Sequence, residues 1–277
     1  MSWVDVFTDR PFAGNPLAVV LDADELDPGS MQRLAAELGL SETVFVLEDS
    51  TRLRIFTPRA ELPLAGHPVV GAALELARLG RIPSTGRTTF ATGHGLIPVN
   101  IAEGVATMTQ AEPVLGPGLP TERAAALLGL EPETLVGGTA VCSTAIPQAF
   151  TRVRDRDVLR RARPDLAGIA AVEGADGLAA WCEEGPGALA LRFFAPRLGI
   201  DEDPATGAAA GALGALRVFE GAEPGRLVVG QGEEIGRPSS IAVEVGGTPG
   251  APTDVRVGGR SALVLEGRVA GTAFAGR

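Results

Sequence analysis

Glu42 lies in S-E-T, between two hydroxyl residues and directly before the apolar run at 44–47. A carboxylate at the mouth of a core strand is desolvated. That raises its pKa toward neutrality and suits it to take up and return a proton. The same local sequence fits an exposed turn glutamate. His67 stands between Gly66 and Pro68, where a helix begins. A helix N-terminus lowers a histidine's pKa and favours a neutral imidazole that accepts or relays a proton. A packed or capping histidine fits there too. Asp203, followed by Pro204, reads first as an N-cap, with the proline already holding helical φ. A cap can still face a site. Arg237, in Q-G-E-E-I-G-R-P-S at 231–239, can hold a substrate carboxylate through paired hydrogen bonds, or can pair with Glu233 or Glu234.

Other chemistries find no support. Cys142 and Cys182 form no CxxC pattern and read as reduced, buried thiols. His67 and His94 are the only histidines, so no Cys/His cluster suggests zinc or another metal. Among the 37 glycines, G-H-G at 93–95 lacks a third glycine, and G-Q-G at 230–232 precedes acidic residues. Neither is a phosphate loop or a dinucleotide fingerprint, so the chemistry is expected to need no cofactor. The net charge of −10, from 34 acidic and 24 basic residues, argues against nucleic acid and against an anionic membrane surface. Any anionic substrate must be held locally, by helix ends or single arginines. No signal segment or bilayer-length apolar run is seen, and the chain reads as cytoplasmic.

Two stretches must position these groups. Residues 192–218 begin R-F-F-A-P-R, pass through the acidic turn I-D-E-D-P-A-T-G, and continue as a helix of small residues without charge over 205–216. Such a helix is buried on all sides, and its N-terminus suits an anion. Residues 54–79 repeat the design: Arg54, Phe56, Pro58 and Arg59 match Arg192, Phe194, Pro196 and Arg197 at a spacing of 192 − 54 = 138, about half of 277 residues. This is a duplication at domain scale. If a pseudo-twofold axis relates the halves, both helix starts converge where pockets favour forming, which raises Glu42, His67 and Asp203 together.

The length suggests roughly two domains. The Pro- and Gly-rich E-P-V-L-G-P-G-L-P at 112–120 reads as the linker, dividing 1–115 from 116–277, with the last residues packing back on the first domain. Asp27-Pro28 opens a helix through Leu38, with Met31, Leu34, Ala35 and Leu38 at helical spacing and Gly39 as its stop. P-F-A-G-N-P at 11–16 is a turn, with Gly14 and Asn15 tolerant of positive φ. Short strands are expected near 87–91, 96–102, 105–110, 147–154, 169–173, 178–183, 188–195, 226–230, 239–245, 253–258 and 261–267. Scattered helices among many short strands indicate an α+β architecture, antiparallel sheets wrapped around a central helix.

Taken together, V-D-V-F-T-D-R-P-F-A-G-N-P-L-A-V-V, S-E-T-V-F-V, G-H-P-V-V-G, D-E-D-P-A-T-G and G-Q-G-E-E-I-G-R-P-S resemble the PhzF family of phenazine-biosynthesis-like isomerases, in order and over nearly the whole chain. The resemblance implies the two-domain fold of diaminopimelate epimerase. It implies a cofactor-independent proton shift on a small carboxylated metabolite, with Glu42 as the shuttling acid/base and supporting roles for His67 and Asp203. Backbone amides at the two helix starts, Gly66 and Thr206-Gly207, would hold the substrate carboxylate. Two positions depart from the family pattern: Ala208 replaces a common hydroxyl residue, and Val69 a common threonine. Both remove a polar group at a helix start. Racemases of this fold carry a cysteine pair at the helix starts, and this chain has none there. A racemase or epimerase with non-thiol groups, and a metabolite-binding protein without catalysis, are the alternatives. A second copy of the chain, as a homodimer, is the partner this reading allows.

Overall fold

The computed structural model describes residues 1–270. The chain divides into two compact units, Met1–Met108 with the segment from Gly258 onward, and Thr109–Val257.

In the first unit, β1 (Ser2–Val6) and β2 (Asn15–Val20) are antiparallel. The helix α1 (Pro28–Leu38) crosses to β3 (Glu42–Leu47), which runs parallel to β2. β4 (Arg52–Phe56) is antiparallel to β3 and carries the short β5 (Glu61–Leu62). After α2 (Gly66–Arg78) comes β6 (Gly86–Thr92), parallel to β4, then the antiparallel β7 (Gly95–Ala102) and β8 (Val105–Thr109). The expected helix over 28–38 forms for the reasons its sequence offers: Asp27 caps it, Pro28 opens it, and Gly39 ends it at φ 64°. Met31 and Ala35 pack from it against Phe45 and Phe56, whose rings meet edge to face at 5.3 Å.

The second unit contains β9 (Val114–Leu119), α3 (Thr121–Leu128), β10 (Thr139–Ser143), β11 (Pro147–Arg152), α4 (Arg156–Arg161), α5 (Leu166–Ala170), β12 (Gly177–Gly185), β13 (Ala188–Ala195), β14 (Ile200–Asp203), α6 (Gly207–Phe219), β15 (Gly225–Gln231), β16 (Ser239–Thr248) and β17 (Ala251–Gly259). β18 (Ser261–Glu266) returns to the first unit and pairs with β1.

The duplication is visible in the pairing. β10 to β16 repeat β1 to β7: antiparallel, parallel, antiparallel, a short strand on the fourth, then a parallel and an antiparallel neighbour. The outer strand on β1 is β18, and on β10 it is β9. The helix α2 packs on β1, β2, β3 and β7, and α6 on β10, β11 and β16, their counterparts. The fold is therefore α+β, two copies of a largely antiparallel sheet around a central helix. Close passage of helix over strand explains Gly71, where a Cβ would sit 2.6 Å from Leu17 and 2.7 Å from Val6.

The matched residues make the same clamp twice. Arg54 on β4 grips Glu61 on β5 through two hydrogen bonds of 2.7 Å and lies over Phe56. Arg192 on β13 grips Glu202 on β14 at 2.8 Å and lies over Phe194. The second clamp is deeper, its arginine also donating to the carbonyls of Leu159 and Ala162. Strand offsets are 192 − 54 = 138 and helix-start offsets 207 − 66 = 141, so the second acidic loop holds three more residues.

Some expectations fail. The stretch at 112–120 is no linker, because it contains the paired outer strand β9. An outer strand tolerates proline. Gly118 lets it approach β10, since a Cβ there would lie 2.1 Å from the Thr139 carbonyl oxygen. The strand expected near 169–173 is instead the end of α5, capped by Asp165 accepting from the Gly168 N–H. In the turn after β1, Phe12 and Gly14 take positive φ, and Asn15 begins β2.

Candidate active site

Glu42 is the first residue of β3, set beside Leu17 of β2. The buried Leu40 and Thr43 on either side of the S-E pair pull the turn against the core. The Glu42 side chain keeps 12% of its surface, and Oε2 has no hydrogen-bond partner among the described residues. Burial pushes its carboxyl up to about 7, with a hydrogen bond from Ser41 pulling the other way. The reading of Glu42 as an exposed turn glutamate is thereby set aside.

His67 is the second residue of α2 and is buried. Its Nε2 lies 3.5 Å from Glu42 Oε2, close enough for charge to be felt and too long for a hydrogen bond. Gly66 opens α2. The residue before it, Ala65, has no side chain with which to cap, so α2 begins without a side-chain cap. Glu42, His67 and Gly66 thus belong to one cluster of the first unit.

Asp203, Thr206, Gly207 and Arg237 belong to the second unit. Asp203 is 6% exposed and is not the N-cap its sequence suggests. It ends β14, and α6 begins four residues later at Gly207, not at Ala205. The reason is Gln231, the last residue of β15. Its Oε1 accepts the Thr206 N–H at 2.9 Å, and its Nε2 donates to the Asp203 carbonyl at 2.7 Å and to Thr206 Oγ1 at 3.0 Å. Thr206 Oγ1 donates in turn to the Asp203 carboxylate. Thr206 gives α6 no side-chain cap. The capped helices, α1, α4 and α5, each use an aspartate; the two central helices do not.

The turn after β15 presses on the same place. Gly232 takes φ 79°, and a Cβ there would lie 2.5 Å from the Pro204 carbonyl oxygen and 2.4 Å from that of Arg237. The Arg237 N–H closes this turn on the Gly232 carbonyl. Glu233 and Glu234 both pair with Arg156 of α4. Under the first turn of α6, Gln110 donates to the Gly207 carbonyl at 3.2 Å and accepts from Thr144 at 2.7 Å. Sequence reasoning missed Gln231 and Gln110. Their signal was faint: Gln231 is a buried amide between two glycines, and Gln110 directly follows β8.

Cys142 and Cys182 are free, buried thiols, each pushed up to about 11 by burial. Among the described residues no cluster of His, Cys, Asp or Glu is arranged to hold a metal ion, and no helix is long and apolar enough to cross a membrane.

Residues 4–267 match the family described as phenazine biosynthesis-like protein. The chain is 35% identical to an uncharacterized isomerase of Mesorhizobium japonicum, over 96% of each chain. It is 33% identical to the trans-2,3-dihydro-3-hydroxyanthranilate isomerase of Pseudomonas aeruginosa, over 96% of this chain and 97% of the relative. Among solved structures, the PhzF-family protein of Bacillus anthracis superposes with a TM-score of 0.88 at 29% identity, covering 97% of this chain and 98% of that one.

Proposed function

The chain belongs to the phenazine biosynthesis-like family, and on that premise we propose that it is an isomerase moving a proton on a small carboxylated substrate, with Glu42 as the acid/base. The observation that carries the reading is the Glu42 carboxyl: buried, with a free oxygen, held near pH 7 and next to an imidazole. A group that must both remove and return a proton works best with a pKa near the working pH.

Ionised Glu42 takes a proton from a carbon activated by the substrate's unsaturated, carboxylated frame. The C–H electron pair moves into that frame, and the charge collects on the carboxylate oxygens. Neutral Glu42 then returns the proton to a different carbon. The double bond moves, nothing is oxidised or reduced, and the residue ends as it began. His67, 3.5 Å away, is the nearest group able to relay a proton to or from Glu42. Asp203 supports the reaction as a second acid/base group, with Thr206 holding its carboxylate. In each unit the central helix, opening at Gly66 or at Gly207, starts without a side-chain cap, a setting that suits an anionic group such as a carboxylate, and Arg237 supplies positive charge in the second unit. The buried, high-pKa thiols do not support a two-cysteine racemase route.

The test is deuterium exchange in D2O. The first compound is trans-2,3-dihydro-3-hydroxyanthranilate, expected to react slowly because Val69 and Ala208 lack the polar groups common in the family. Other carboxylated dienes and hydroxy acids follow. On a confirmed substrate, Glu42→Gln should cut exchange by about 10²–10⁴-fold with binding retained. Full exchange in that variant would make His67 the leading base. A ligand that binds but never gains deuterium would make the protein a binder.

A further inference from the structure

Ser41 precedes Glu42 in the turn that opens β3, and its hydroxyl donates to Asn15 Oδ1 at 3.1 Å. Asn15 begins β2, the parallel neighbour of β3, and is 1% exposed. The loop that delivers it is firmly held. Asp5 accepts the Phe12 N–H at 2.6 Å, and at Gly14 a Cβ would lie 2.1 Å from the Val6 carbonyl oxygen. Ser41 is also the chain neighbour of Glu42, and its hydroxyl is the one group that draws that carboxyl back toward the charged form. A serine hydroxyl has one proton to donate. Two acceptors therefore compete for it, one a neutral amide and the other a carboxylate whose charge comes and goes.

We propose that Ser41 is a positioning residue whose hydroxyl follows the charge on Glu42: it donates to Asn15 while Glu42 holds the proton and turns onto the carboxylate when Glu42 is ionised. The inference rests on Glu42 as the acid/base group of the proposed reaction. No proton leaves Ser41 and no bond breaks; the hydroxyl rotates about its C–O bond. Glu42 thereby gains a donor when it becomes charged, without water having to enter. Oε2, which has no hydrogen-bond partner among the described residues, remains for the transferred proton.

The charged and titratable groups on elements packed against β3 are few. The helix α2 brings His67 to 3.5 Å. β4 brings Arg52 and Arg54, held by Glu48 and Glu61. On α1, Arg33 and Glu37 are exposed. β2 contributes the Asn15 amide and no titratable group.

The test reads Glu42 directly, by NMR titration of its side-chain carboxyl in the full chain, assigned with Glu42→Gln. Ser41→Ala should raise the midpoint by about one pH unit, the worth of one hydrogen bond to a charged group. Ser41→Thr, which keeps the hydroxyl, should leave it near the wild-type value. Asn15→Ala removes the competing acceptor and should lower it. The sign is diagnostic, because loosening that admits water would lower the midpoint in Ser41→Ala. A lowered or unchanged midpoint in Ser41→Ala, or one not rescued by threonine, overturns the proposal. An unchanged or raised midpoint in Asn15→Ala overturns the part given to Asn15; if that variant does not fold, the two Ser41 variants decide. The titration needs no substrate. Glu42→Gln with full exchange would sink the proposed function, whereas an unmoved midpoint in Ser41→Ala would sink only this inference.

Discussion

Two turns of this molecule share one local sequence, Asp-Pro-x-Ser/Thr, and do different things with it. In Asp27-Pro28-Gly29-Ser30, Asp27 accepts the Ser30 N–H at 3.1 Å and the Ser30 hydroxyl at 2.6 Å, and α1 starts at once. In Asp203-Pro204-Ala205-Thr206, the hydroxyl still goes to the aspartate, but the Thr206 N–H goes to Gln231 and the helix is delayed to Gly207. Capping is a competition for one N–H group, and a residue from a neighbouring strand can win it. Asp203 therefore does not cap the helix that follows it, and the proposed reaction gives it an acid/base part instead.

The harshest way to break the comparison is Gln231→Leu. Gln231 is 2% exposed, so its loss leaves the Thr206 N–H and the Asp203 carbonyl without their partner in a buried setting. That should cost about 3 kcal/mol of stability, read from chemical denaturation. Asp203 should then capture the Thr206 N–H and become a cap like Asp27, and deuterium exchange should fall at least about 10-fold, as expected when an acid–base group is lost. If exchange persists while stability falls, Gln231 supports only the fold.

Asp203→Asn should have a smaller effect, of a different kind. Asparagine keeps the shape and can still accept from Thr206, so stability should change by about 1 kcal/mol or less, the net worth of one hydrogen bond. Exchange should fall by about 10–100-fold, less than for Glu42→Gln, because the group can no longer hold a proton. Exchange at the wild-type rate would return Asp203 to a structural role.

Much of this was legible in the sequence, and the failures share a cause. The Arg54 and Arg192 matches pointed to a duplication that the strand pairing repeats element for element. Met31, Ala35 and Gly39 placed α1 because each acts within a turn or two of itself. The start of α6 was misplaced because Gln231 acts from 231 − 203 = 28 residues away. β9 looked like a linker because its glycines serve contact with β10, a strand that went unanticipated. The short run near 169–173 has no periodicity that separates strand from helix, and Asp165 decides it. S-E-T gave Glu42 a local environment, but the Asn15 that competes for the Ser41 hydroxyl comes from another strand.

The smallest expected effect sharpens the comparison from the other side. Asp27 lies at the surface, and its carboxyl is held below the ordinary value of 3.8, first by the Ser30 hydroxyl and then by the Ser30 N–H. A carboxyl lowered by folding contributes stability that is present above its unfolded pKa and lost as pH falls through its folded one. Asp27→Asn should therefore change little at neutral pH, where asparagine caps almost as well, and should leave exchange untouched. On acidification, the wild-type protein loses the Asp27 contribution and the variant has none to lose. The two melting curves should converge below the ordinary carboxylate value, and any gap between them should lie on the neutral side. Melting temperature against pH, measured for Asp27→Asn and Asp203→Asn together, checks this. Were Asp27→Asn to slow exchange as Asp203→Asn is expected to, the contrast between a capping aspartate and a working one would have no basis.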